Sequence, residues 1–593
     1  MTTQETAPTV PAPVRRAQRI GLSRYLPFLT WLRQYRRQDL SGDLLAGCIV
    51  AIMLVPQGMA YALLAGLPAQ VGLYASIVPL ILYGLLGSSR YLGVGPTAVI
   101  SLMVAHSLGS LAPSGGPTYV GLALVLALLV GLIYVAMGLL RLGFLVNFLS
   151  HPVLSGFTSA AAIVIACSQL KHLLGIAIPS SEAVHDLLLH AARHSNEVNL
   201  VTMGIGLTAI ALLLAVPNLL GRRLQRWGVP EAVRQPIIRS GPLVTVLLST
   251  LLVWGLGLND GHGVAIVGRI AAGLPPLTMP PLDLTQWKAL LPTALTITLV
   301  GFMESISVAK ALSSKRRETL DADQELVALG VANLGAAFTG GYPAAGSLSR
   351  SAVNFSAGAK TGLASITTAL LVALALLVLM PMLYYLPQAA LAAIIIVAAV
   401  SLVDVTLLRR VWNYNKADAA SLLITFAGVL TLGIETGIIL GAFAALVLYV
   451  WRTSRPQVVI LGRVGKSERY RSVRRYGNQV QTWPTVLLVR VDESLYFANT
   501  KYVGDLLRRA VADNPTVKDV VLICNAINYI DASALESLEN LIEELCDAGL
   551  TLHLAEVKGP VLDQLQKVRF ETHLRAGRIF DTTHEALQFL GCD

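Results

Sequence analysis

Charge is scarce in this chain. Only 13% of its 593 residues are Asp, Glu, Lys or Arg, against about 25% in an ordinary soluble domain. That excludes a water-facing surface along the whole length. Cysteines are few as well: Cys48, Cys167, Cys524, Cys546 and Cys592 are scattered and odd in number, with no CxxC or Cys/His spacing. Neither a disulfide framework nor a metal site is expected. No P-loop, HExxH or nucleophile elbow occurs, so nothing supports an enzyme or a cofactor. The opening "MTTQETAPTVPAPVRRAQRI" lacks the apolar core and cleavage site of a signal peptide, so the first apolar run is expected to be retained.

What the chain has instead is long apolar runs. They recur from about Leu44 to Val450, and many are long enough to cross a bilayer. After about Trp451 charges become dense and apolar runs shrink to strand length. The expected organisation is a cytoplasmic segment over 1–40, a transmembrane domain over 41–452 and a soluble domain over 453–593. The fold class is a polytopic α-helical membrane protein followed by an α/β domain.

Hydropathy marks fourteen segments, from 44–63 to 434–451. Cationic residues gather in alternate loops. Arg15, Arg16, Arg19, Arg33, Arg36 and Arg37 precede the first segment, and Arg222, Arg223, Arg226, Arg234 and Arg239 follow the sixth. Lys315, Arg316 and Arg317 follow the eighth, and Arg409, Arg410 and Lys416 surround the start of the thirteenth. The opposite loops carry almost no Lys or Arg. The net charge of +10 therefore reads as positive-inside bias rather than nucleic-acid binding. Both the N-terminus and the soluble domain are then expected in the cytoplasm, under a bacterial-type inner membrane.

Two segments are too short to cross: "GVGPTAVISLMVAHSL" and "GYPAAGSLSRSAVNFSAG". Each is the third of a set of seven and opens with Gly and Pro. Short interrupted segments at matching places point to a transporter built from two repeats. Seven is odd, so the second repeat must be inverted. Residues 95–98 and 346–349 would begin two half-helices facing each other at the midplane. Free N–H groups and the helix dipole make such N-termini an anion site. Pro96 suits a first helical turn. Thr97, Ser347 and Ser349 can add hydroxyl donors, with Leu348 between them. Arg350, one residue into the second half-helix, adds a full charge at lipid depth, a functional candidate by default. It either supplies field or ligates the anion directly; the rival roles are snorkelling and structural pairing.

Gln57 and Tyr61 are four apart, hence on one face of the first segment. Glu304, in the eighth, is a lone carboxylate at lipid depth, with Lys310 about a turn and a half further on. It is a candidate proton site, a structural counter-ion to Arg350 or a sodium ligand. Asp321, Asp323 and Glu325 are expected at the cytoplasmic surface.

These residues resemble a known family. "GLYASIVPLILYGLLGSSRYLGVGPTAVISLM" (72–103) and "DADQELVALGVANLGAAFTGGYPAAGSLSRSAVNFSAGAKTGLAS" (321–365) resemble the two hallmark regions of the sulfate permease family. The C-terminal part resembles its STAS domain, the sulfate-transporter and anti-sigma-antagonist module. The resemblance implies seven-plus-seven inverted repeats as in uracil permeases, with core and gate domains in an elevator-like motion. It also implies a homodimer. The anion would lie between spans 3 and 10, at Gln57, Tyr61, Pro96, Thr97, Ser347, Ser349 and Arg350. Glu304 matches the carboxylate linked to proton coupling in sulfate-transporting members.

In the soluble domain, "TVLLVRVDESLYFAN", "KDVVLICNA" and "LTLHLAEV" read as strands alternating with helices. Asp531 and Ser533 in "YIDASALESL" stand where anti-sigma antagonists are phosphorylated, but Ala534 replaces that motif's glycine. Helix capping is the simpler role. The expected function is proton-coupled uptake of a small inorganic or organic anion, sulfate first, by a lipid-embedded carrier. Sodium-coupled bicarbonate transport, proton-coupled C4-dicarboxylate transport and a passive channel, exchanger or voltage-driven motor remain rivals. A nucleobase symporter would need an acid where Ser349 and Arg350 stand.

Overall fold

Glycine and proline decide where the long apolar runs break. The computed structural model describes residues 26–33, 35–144, 150–176, 184–230, 234, 237–238, 240–268 and 273–592. Arg15, Arg16, Arg19 and Arg239, and most of the 1–40 segment, lie outside the described residues. The chain divides into two compact units, Met1–Phe443 and Ala444–Asp593.

The first unit opens with α1 (Arg37–Leu64), which runs through Pro56. The second segment is split into α2 (Ala69–Tyr74) and α3 (Val78–Leu86). The third begins as a strand, β1 (Gly93–Gly95), and continues as α4 (Ala98–Gly109). Then come α5 (Pro117–Leu139), α6 (His151–Ser168), α7 (Leu200–Ala215) and α8 (Gly241–Leu256). The second repeat starts with α9 (Leu284–Lys315) and α10 (Ala322–Phe338). Its third segment repeats the strand-to-helix pattern as β2 (Ala345–Ser347) and α11 (Leu348–Ser356). It ends with α12 (Leu363–Val378), α13 (Gln388–Val400), the amphipathic α14 (Val405–Tyr414), α15 (Lys416–Leu432) and α16 (Ile434–Thr453). Each of the fourteen predicted segments is thus a helix, a broken helix or a half-helix. Among the described residues seven helices are long and apolar enough to cross a membrane, by length and composition, and four shorter apolar helices accompany them.

The helices sort into two packed groups. In one, α5 and α3 lie along α10, and α1 lies along α12. The contact of α5 with α10 is close because both present glycine: a Cβ on Gly330 would stand 2.7 Å from Val135, and one on Gly131 would stand 2.9 Å from Leu334. In the other group, α6 packs on α15 and α13, and α7 packs on α13. The groups meet where α1 touches α8 and α13, and where α4 touches α6. The two groups correspond to the core and gate that the resemblance implies.

Glu325 departs from its expected surface position. It is fully buried and accepts hydrogen bonds from Tyr83 Oη (2.7 Å), Ser88 N (2.7 Å), Ser88 Oγ (2.8 Å) and Ser89 N (2.9 Å). Four donors replace the water such a carboxylate would otherwise need. It thereby pins the loop that feeds β1. Asp43 does the same for the entry to α12, accepting from Lys360 N, Thr361 N and Thr361 Oγ1. Asp321 caps α10, accepting from Asp323 N and Gln324 N.

The second unit is one six-stranded sheet with helices on it. After β3 (Val458–Arg463) and β4 (Tyr470–Ser472) come β5 (Val486–Val491), α17 (Thr500–Ala512), β6 (Asp519–Ile523) and α18 (Ala532–Asp547). Then follow β7 (Thr551–Ala555), α19 (Gly559–Lys567), β8 (Ile579–Phe580) and α20 (Thr583–Phe589). The strand order is β4-β3-β5-β6-β7-β8, antiparallel at β4-β3-β5 and parallel beyond. α17, α18 and α19 cover one face and α20 the other. Burial pushes His553, on β7, below its ordinary pKa, and its Nδ1 accepts from Arg578 N.

Candidate functional site

Two strands only three residues long hold the centre of the first unit together. β1 and β2 pair antiparallel, with Gly93 opposite Ser347, Val94 opposite Gly346 and Gly95 opposite Ala345. Each strand then leaves the ladder as a helix. Thr97 is the N-cap of α4 and Ser347 that of α11, both with extended backbone and neither with a side-chain cap hydrogen bond. The first-turn amides of both half-helices are therefore left without a capping acceptor, and their dipoles point into the same space.

A cavity of about 300 Å³ lies in front of these two ends. One wall is polar: Gln57 and Tyr61 from α1, Thr97 ahead of α4, Glu304 from α9, and Ser347 and Ser349 around the start of α11, with Leu348 between them. The facing wall is almost wholly apolar: Leu213, Pro242, Ile394, Val397, Ala398 and Leu402, with Ser401 the one hydroxyl. With α9 packed on α5 and α11 on α1, every polar-wall residue belongs to the core, and every facing-wall residue to the gate or the turn after α13. Gln57 Oε1, Thr97 Oγ1 and Glu304 Oε2 are buried without a hydrogen-bond partner.

Arg350 does not line this cavity. It is fully buried behind it, the third residue of α11 rather than one residue in. Nη1 donates to Pro96 O at 2.8 Å, while Nε and Nη2 have no partner. Among the described residues no carboxylate, Glu304 included, comes within ion-pair distance of it. Lys310 is exposed. Pro96 is also displaced from its expected place. It precedes the cap instead of sitting in the first turn, because the chain leaves the ladder at Gly95 and stays extended through Thr97. Its carbonyl is then free to meet the guanidinium.

Three supports, and the backbone role of Gly95, escaped the sequence reading. Ser305 Oγ accepts from Gly346 N at 2.8 Å, and Ser351 Oγ accepts from Gly93 N at 2.9 Å. Asn333 holds Ala344 through both its N–H and its carbonyl, at 2.9 Å each. Gly95 has φ +154°, and a Cβ there would stand 3.4 Å from Arg350 Nη2. Asn333 was the detectable one, a lone amide in the apolar run "GVANLGAAF". Replacing Gly95 with alanine should strain the ladder by about 1–3 kcal/mol and crowd the guanidinium. The expected outcome is a lower unfolding temperature for the solubilised protein together with weaker anion uptake.

In the second unit Asp531 caps α18: Oδ1 accepts from Ala534 N at 2.7 Å and Oδ2 from Phe497 N at 2.9 Å. Ser533, on the first turn of α18, is exposed.

Comparison with known proteins places this geometry. The profile of the sulfate permease family matches residues 40–425, and that of the STAS domain residues 478–586. The chloroplastic sulfate transporter 4.1 of Arabidopsis thaliana is 37% identical over 584 residues, spanning 95% of this chain and 83% of its own. The chain belongs to the sulfate permease family. Its activity is accordingly anion transport in a membrane, and its second unit is a STAS domain. Among solved structures, murine solute carrier 26 family member A9, an anion transporter in the inward-facing state, superposes with TM-score 0.87 at 26% identity, over 96% of this chain and 94% of that one. The transmembrane domain of the cyanobacterial bicarbonate transporter BicA gives TM-score 0.59 at 24% identity, over 70% of this chain and 98% of that one. That second likeness carries the fold alone.

Proposed function

We propose that this sulfate permease family member is a secondary active transporter that imports sulfate with protons by an elevator-like motion. One observation carries the reading: two uncapped helix N-termini converge on a polar wall, with the unpaired Arg350 guanidinium directly behind them. Amides and the hydroxyls of Thr97, Ser347 and Ser349 would bind the anion, while Gln57 and Tyr61 flank it. Arg350 supplies field from behind rather than ligating. A dianion gains most from such an arrangement, because dipoles and a buried charge act through little intervening water.

The asymmetry of the walls supports the elevator. All but one of the polar groups belong to the core, and the gate offers a nearly smooth apolar face. A bound anion can therefore ride with the core past the gate without trading hydrogen bonds. The cavity is lined by the ends of α7, α8 and α13 that adjoin the cationic loops, which supports an inward-facing state under the positive-inside rule. The N-terminus and the STAS domain would then be cytoplasmic, in a plasma-membrane homodimer. Asp531 serves as a cap; regulation by modification of Ser533 is the secondary reading.

Glu304 would carry the coupling proton. Proteoliposomes loaded at fixed internal pH and offered labelled sulfate, bicarbonate or succinate test the whole reading. Sulfate should accumulate under an inward proton gradient and ignore a sodium gradient. Sodium-driven bicarbonate uptake or proton-driven succinate uptake would each replace it.

A further inference from the structure

Half of the buried polar side-chain atoms left without a partner among the described residues surround the β1–β2 ladder. They are Gln57 Oε1, Thr97 Oγ1, Glu304 Oε2, two nitrogens of Arg350 and the hydroxyl of Tyr134. Five of these six atoms belong to the site already described. Tyr134 does not. It comes from α5, in the interior of the core, is 1% exposed and lines no part of the cavity. A phenol so deeply buried usually finds a partner.

Its position tells which one. The Tyr134 hydroxyl lies 2.7 Å from where a Cβ on Gly301 would stand. Gly301 is one turn before Glu304 on α9. Helical side chains lean toward the helix N-terminus, over the residue three or four places earlier. That general lean directs Glu304 toward position 301, where glycine leaves the space open beside the Tyr134 hydroxyl; the two groups are not hydrogen-bonded to each other in this structure. The two are near enough for the carboxylate charge to act on the phenol. The other charged or titratable groups facing Glu304 are Tyr61 from α1 and Arg350 from α11, with Tyr342 ahead of β2 facing both of these. Tyr342 is engaged with Ser101 at 2.8 Å, and Arg350 with Pro96. Tyr134 is the buried donor with nothing else to do.

We propose that Tyr134 is the positioning partner of Glu304 in proton coupling. Its hydroxyl donates to the carboxylate when Glu304 is charged and accepts from the acid when Glu304 is protonated. A phenol can do both without giving up its own proton. The coupling proton reaches Glu304 from the cavity and returns there. The proposal rests on the reading of Glu304 as the proton carrier.

Sulfate uptake into proteoliposomes, measured at matched internal and external pH between 5 and 8, separates the two. Tyr134→Phe should move the pH of half-maximal uptake by about one unit toward alkaline values, because the charged carboxylate loses its donor. Glu304→Gln should flatten the profile, and the double variant should match Glu304→Gln alone. Gly301→Ala, which would push the hydroxyl away without altering either group, should repeat the Tyr134→Phe shift and carries the test should that variant fail to fold. A wild-type profile in Tyr134→Phe or Gly301→Ala beside a flat Glu304→Gln overturns the proposal and leaves Glu304 in place. A Glu304→Gln variant that still responds to pH overturns the reading on Glu304, and the proposal with it.

Discussion

Replacing Arg350 with alanine should weaken sulfate binding by more than about a hundredfold. The guanidinium is fully buried and has no ion-pair partner among the described residues, so its charge acts on the cavity with little screening. At a separation of about 6 Å and an effective dielectric of about 20, a unit charge attracts another by about 3 kcal/mol, which is roughly two orders of magnitude in affinity. A dianion would lose more and a monoanion no more than that, so the loss should be larger for sulfate than for bicarbonate. The second effect of the substitution is mechanical. The bond from Nη1 to Pro96 O, 2.8 Å long, ties α11 to the entry of α4, and without it the two N-termini are held only by the β1–β2 ladder and the bond from Gly93 N to Ser351 Oγ. Arg350→Lys keeps the charge but cannot donate in the same plane; an intermediate loss of about tenfold would apportion the effect between field and geometry. The measurement is calorimetric titration of sulfate into the purified variants, beside uptake. Wild-type affinity in Arg350→Ala would remove Arg350 from the site.

Arg350 was legible in the sequence because a charge in an apolar run is costly and so stands out, even with snorkelling and structural pairing as rival roles. The half-helices were legible for a related reason: "GVGPT" and "AAGSLS" break the hydropathy at matching places in the two repeats. What local pattern could not carry is contact at a distance. Glu325 looks like one more acid at a helix start, and only the fold brings Ser89 to it from 236 residues away. The gate wall was equally hidden. Ile394, Val397 and Ala398 belong to "LAAIIIVAAV", which reads the same whether it faces lipid, protein or a cavity. Pro96 was misplaced by one structural step, since its preference for a first helical turn competed with a strand that exists only because β2 pairs with it. In the STAS domain three of the four parallel strands, β5, β6 and β7, read correctly as buried runs. The short edge strands β4 and β8, three and two residues long, carry too few side chains for any periodicity.

Glu304→Gln should uncouple transport without abolishing it. The side chains are nearly the same size, and amide and carboxylic acid both present one carbonyl to the cavity, so the site keeps its shape. What is lost is the ability to take and release a proton. For one proton per sulfate in an electrically clamped vesicle, a gradient of one pH unit is worth about 1.4 kcal/mol and sustains about tenfold accumulation; two protons would sustain about a hundredfold. The variant should equilibrate sulfate and stop, with internal and external concentrations equal at every imposed pH difference. Its counterflow exchange of labelled for unlabelled sulfate should continue, because exchange needs the binding wall and the sliding gate but no proton. Accumulation is the discriminating readout, since a rate alone could fall for many reasons. Continued gradient-driven accumulation in Glu304→Gln would move the coupling group elsewhere in the core, and accumulation that follows sodium instead would recast Glu304 as a cation ligand. Among the described residues of the cavity wall Glu304 is the sole carboxylate, so the proton reading makes it the group on which the driving force must act.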